Sequence, residues 1–108
     1  MSYISAHVLD AAAGVPAAGV RVRLGEAAGT VIAESVTNAD GRVPDLGPER
    51  LDPGVYEVTF ESGEYFTGRG TDCFHPSVSV LFTVAADQAH YHIPLLLSPY
   101  SYTTYRGS

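Results

Sequence analysis

Two histidines stand two residues apart in the run His90-Tyr91-His92-Ile93-Pro94-Leu95-Leu96-Leu97-Ser98-Pro99-Tyr100, and the chain closes on Tyr105-Arg106-Gly107-Ser108. Terminal residues are normally the least constrained part of a domain. Groups able to do chemistry, crowded this close to an end, point to a terminus that is itself part of a site. On a strand, His90 and His92 share one face while Tyr91 and Ile93 take the other. Imidazole exchanges protons near neutrality, and His-x-His is also a spacing used for zinc, which would need a further ligand from His7, His75, Cys73 or a carboxylate. The plainer alternative is a solvated strand face carrying polar residues. The same plain reading applies to His7 alone and to Arg42, which follows an Asp-Gly turn.

Composition removes several other chemistries. All six basic residues are arginine, so Schiff-base lysine chemistry and a P-loop are excluded. A net charge of −6 argues against nucleic acid as a partner. No Gly-x-Ser-x-Gly elbow occurs, and the lone Cys73 has no second cysteine for a redox pair or an internal disulfide. No apolar run approaches the ~18 residues of a membrane span, and no charged-then-apolar leader opens the chain. A soluble, cytoplasmic protein without membrane contact is expected. At 108 residues the expectation is a single domain over 1–108, and 45% hydrophobic residues leave a core to build.

The elements that must position these groups read as strands. Val20-Arg21-Val22-Arg23-Leu24 alternates apolar and charged residues, as a strand wet on one face does. Tyr3 to Leu9, Val31 to Thr37, Val55 to Glu61, Val78 to Val84 and His90 to Leu97 are similar candidates. Gly14-Val15-Pro16, Asn38-Ala39-Asp40-Gly41 and Asp52-Pro53-Gly54 supply turns between them. Glu64 to Thr71, with glycine near both ends, breaks the rhythm and is expected to be a loop or a brief helix. Short strands so punctuated predict an antiparallel sandwich.

His7-Val8-Leu9-Asp10 followed by Gly14-Val15-Pro16-Ala17, then Thr37-Asn38-Ala39-Asp40-Gly41-Arg42, Gly54-Val55-Tyr56 and Tyr65-Phe66, lead in order to the His-Tyr-His-x-Pro-Leu-Leu-Leu run and the Tyr-Arg-Gly-Ser end. In this order the chain resembles the 5-hydroxyisourate hydrolases, the enzyme branch of the transthyretin fold. The departure is His75, in Phe74-His75-Pro76, where that family usually has tyrosine or phenylalanine; it reads as a loop substitution.

The resemblance implies an all-β, transthyretin-like antiparallel β-sandwich of about eight strands with one short helix. It implies water attack on the six-membered ring of 5-hydroxyisourate, a small-molecule substrate, giving 2-oxo-4-hydroxy-4-carboxy-5-ureidoimidazoline without metal or cofactor. Carried over by position, the catalytic set falls on His7, Arg42, His92 and Ser108, with Tyr105, Arg106 and Gly107 binding substrate and His90 supporting. Arg106 could instead anchor the tail. Hormone-carrying transthyretins have lysine, glutamate and threonine at the positions of His7, Arg42 and His92, so the alternative of a non-catalytic ligand carrier is disfavoured. The resemblance further implies a homotetramer, a dimer of dimers with sites where the dimers meet. Leu95 to Leu97 and the tyrosines 100, 102 and 105 would suit such interfaces, or a monomer's core.

Overall fold

The computed structural model describes residues 2–107 as two β-sheets with one helix. The first sheet contains β1 (Ile4–Asp10), β2 (Val15–Pro16), β5 (Arg42–Val43), β8 (Tyr91–Ser98) and β9 (Ser101–Thr104). The second runs β4 (Val31–Val36), β3 (Arg21–Glu26), β6 (Gly54–Phe60), β7 (Val78–Val84). The transthyretin-like sandwich expected from the sequence is present. Its period-two alternation explains the layering: Ile4, Ala6 and Val8 on β1 and Ile93, Leu95 and Leu97 on β8 point inward against Val22, Leu24, Val58 and Phe60. Burying each large side chain of this kind stabilises by roughly 1.5–3 kcal/mol.

One pairing departs from antiparallel order. β1 and β8 run parallel, from Ile4 beside Tyr91 to Asp10 beside Leu97. The far edge of β1 is shared by two short strands, β2 against Leu9 and Asp10 and β5 against Ala6 and His7. At two residues each, β2 and β5 are too short for alternation to reveal them in the sequence. The leucine run splits as alternation requires, with Leu95 and Leu97 buried in the core and only Leu96 half-exposed, while Tyr100, Tyr102 and Tyr105 are exposed.

The helix, α1 (Ser62–Gly68), begins two residues before the expected segment. It buries Tyr65 and Phe66, and the Tyr65 hydroxyl donates to the buried Asp10 carboxylate at 2.8 Å. Asp10 also accepts from the Ala13 amide at 2.9 Å, which folds the chain back after β1. Burial and the neighbouring Asp10 push the Tyr65 phenol up to about 12, so it remains a donor at any physiological pH.

Candidate active site on the first sheet

Register brings the chemical groups together on the outer face of the first sheet. In the parallel β1–β8 pair Ser5 lies beside His92 and His7 beside Pro94, and across β1 the β5 strand sets Arg42 beside His7. Paired residues share a face, so Ser5, His7, Arg42 and His92 all project outward, away from the core. The His7 and His92 ring centres are 6.4 Å apart. Ser5, Arg42, Asp45, His90 and His92 line an open cavity of about 500 Å³.

Arg42 reaches this face through a tight turn. The Asn38 side-chain oxygen accepts the amides of Asp40 and Arg42 at 2.9 and 3.0 Å, and the Gly41 amide donates to the Asn38 carbonyl at 2.9 Å. Gly41 adopts φ +74°, and a β-carbon there would lie 2.3 Å from the Val8 carbonyl oxygen, so only glycine lets the turn close against β1. The same turn steadies His7, whose Nε2 donates to the Asp40 carbonyl at 3.1 Å. A carbonyl only accepts, so the proton on Nε2 is fixed and exchange is left to Nδ1.

From β1, the Ser5 hydroxyl stands 2.8 Å from Nδ1 of His92 on β8 and 2.9 Å from Nε2 of His90 just before it. The two histidines therefore share one side, as their spacing predicts. Partial burial, then the positive Arg42 and the neighbouring His7 and His90, hold the pKa of His92 below the ordinary histidine value. His92 is consequently a neutral proton acceptor at pH 7. Among the described residues no group of three His, Cys, Asp or Glu side chains is placed to hold a metal ion.

The tail rejoins β8 beyond a break. Leu95 pairs with Thr104 and His92 with Gly107 in one continuous register. Between them Pro94 faces Tyr105 and has no N–H to give, which interrupts the ladder. The Thr104 hydroxyl donates to the Pro94 carbonyl at 2.8 Å, and the Gly107 amide donates to the His92 carbonyl at 3.0 Å. A β-carbon on Gly107 would sit 2.5 Å from Cδ2 of His92, so glycine is what allows the chain to cross beside the imidazole.

Arg106, one residue earlier, goes to the opposite side. Its guanidinium lies 5.2 Å over the Tyr91 ring, and with Tyr105 it lines a separate cavity of about 360 Å³ beside Val80 and Phe82. The structure thus joins His7, Arg42, His92 and Gly107, and does not bring Tyr105 or Arg106 to the imidazoles. Arg106 instead lies against Tyr91. Alternation counted back from Gly107 carries that signal. Ser108 lies outside the described residues. His75 lies in the loop before β7, stacked edge-on against Phe74 and Tyr102. Ser5 was not singled out in the sequence, although it shares a strand face with His7.

The HIUase/Transthyretin family model matches residues 4–107. The mouse 5-hydroxyisourate hydrolase is 43% identical, over 99% of this chain and 96% of its own. The structure of the Klebsiella pneumoniae 5-hydroxyisourate hydrolase superposes with a TM-score of 0.92 at 37% identity, each chain fully covered. Sea bream transthyretin in complex with thyroxine superposes almost as well, at 0.90 and 37% identity over 97% of this chain and 94% of that one. Backbone shape is therefore common to both. The chain belongs to the HIUase/Transthyretin family.

Proposed function

We propose that this chain hydrolyses 5-hydroxyisourate in the cavity on its first sheet, the activity named for its mouse and Klebsiella pneumoniae relatives. The observation that carries the reading is the placement of the His7 and His92 imidazoles and the Arg42 guanidinium on one face of three adjacent strands, with Arg42 and His92 lining an open cavity there. His92, kept neutral, takes a proton from the attacking water as its oxygen bonds to the ring carbonyl carbon. Arg42 orients the substrate and holds the charge that develops on the carbonyl oxygen. The ring carbon–nitrogen bond then breaks, and the departing nitrogen takes the proton relayed by His92 and His7. Water, imidazole and guanidinium balance the reaction without a metal or cofactor. Gly107 forms the wall beside His92.

The working form is a homotetramer, a dimer of dimers, in which a facing subunit closes the open side of each cavity. Exposed Tyr100, Tyr102 and Leu81 supply apolar surface for such contacts. Sedimentation at micromolar concentration checks this, and a purely monomeric species contradicts it. The protein works in the cytoplasm; its single cysteine is free, so the fold needs no oxidising compartment. No helix is long and apolar enough to cross a membrane.

The test follows the ultraviolet absorbance of 5-hydroxyisourate freshly made from urate by urate oxidase. The parent protein should accelerate its decay, and His92→Asn should lower kcat by ~10²–10⁴-fold. A folded tetrameric parent that leaves the decay unchanged would overturn the reading and favour a ligand carrier.

A further inference from the structure

The hydrogen bonds behind His92 run in one direction, and their direction is set by a backbone carbonyl. His90 Nδ1 lies 3.2 Å from the Ser2 carbonyl oxygen, which can only accept, so Nδ1 of His90 carries a proton. In neutral His90, Nε2 is then a bare acceptor, and the Ser5 hydroxyl 2.9 Å away donates to it. That donation uses the single hydroxyl proton of Ser5. Its oxygen meets His92 Nδ1 at 2.8 Å with only lone pairs to offer, so His92 Nδ1 must be the donor.

We propose that Ser5 and His90 are positioning residues that hold neutral His92 as its Nδ1–H tautomer, with a bare Nε2 presented to the attacking water. The proposal rests on the hydrolase reading for its catalytic consequence and on geometry alone for the tautomer. Free histidine in water favours the opposite tautomer, with the proton on Nε2, so the chain from Ser2 through His90 and Ser5 overrides an intrinsic preference. Without it, much of the neutral His92 would present an N–H where the reaction needs a lone pair. Ser5 is well placed for this task, since β1 and β8 hold it beside His92 by backbone register.

Protonation of His90 would reverse the chain. A doubly protonated imidazole donates from Nε2 to Ser5, the hydroxyl then donates to His92 Nδ1, and the His92 proton moves to Nε2. The charged and titratable groups facing this pair are Arg42 and Asp45 across the cavity and His7 beside His92. The tautomer is therefore read at a pH above the histidine titrations.

The experiment is an imidazole nitrogen-15 correlation spectrum of the full-length protein, with kcat and KM for Ser5→Ala and Ser5→Thr. In the parent, both His90 and His92 should show a protonated Nδ1 and a bare Nε2. In Ser5→Ala the His92 population should move toward Nε2–H and kcat should fall about tenfold, with KM little changed. Ser5→Thr, which keeps the hydroxyl, should restore both signals. A parent His92 protonated on Nε2, or a Ser5→Ala spectrum identical to the parent's, overturns the relay. The parent spectrum needs no variant and no turnover, so failure of the relay and failure of the hydrolase reading are told apart.

Discussion

The two sheets present polar outer faces of opposite character. On the second sheet Arg21 is closed by Glu64 at 2.6 Å and Arg23 by Glu61 at 3.3 Å, and each cation is satisfied by a carboxylate. On the first sheet the imidazoles are held instead by neutral oxygens: a serine hydroxyl for His92 and His90, and backbone carbonyls for His7 and His90. A charged partner fixes a protonation state by favouring the ion. A neutral partner fixes geometry and leaves the proton exchangeable. Alternating strands deliver polar side chains to both faces equally, and the partners decide which face can react.

Changing Arg42 to Gln tests this contrast most severely, because it removes the cation that the first sheet directs into the cavity. It should cost ~10²–10³-fold in kcat with an unchanged circular dichroism spectrum. Gly107→Ala comes next: its methyl group must displace the His92 ring, and a shift of that order costs about 10²-fold in hydrolysis. A smaller effect is expected in the titration of His92 followed by NMR. Its midpoint should lie below the ordinary histidine value, and most of the depression should survive Arg42→Gln because burial is the larger cause. The sign for stability follows from proton counting. The unfolded chain binds more protons at His92, so stability falls as pH drops through the ordinary histidine range and is unaffected above it. At the far end, Glu64→Gln, on α1 against the second sheet's Arg21, should change neither hydrolysis nor melting temperature resolvably, since that pair is solvent-exposed.

Much of this was legible in the residues themselves. Period-two alternation located β1, β3, β4, β6 and β8 to within one or two residues at each end, and β7 as observed, and it placed His90 and His92 on a common side. What alternation cannot state is which strand lies beside which. That β8 runs parallel to β1, and so lends His92 the hydroxyl of Ser5, depends on core packing between distant segments. Arg106 illustrates a different gap. Its motif suggested a substrate contact, while the tail's return to the β8 register after Pro94 sends it to the other side of the strand, over Tyr91. Tyr65 and Asp10, fifty-five residues apart in sequence, meet only because α1 packs at the end of β1.

The parallel pairing of β1 with β8 also bears on how the molecule comes into being. Ile4 must find Tyr91, so the central pair of the first sheet closes a loop that spans most of the polypeptide. Loop-closure entropy opposes such a contact until both ends are present, and folds dominated by distant strand pairs form slowly. During synthesis the second sheet can be assembled from residues already made, while β1 waits with its β8 edge unpaired. The proposed site is therefore the last part to form, after His92 leaves the ribosome, and a chain stalled before that point carries His7 and Arg42 on an incomplete sheet.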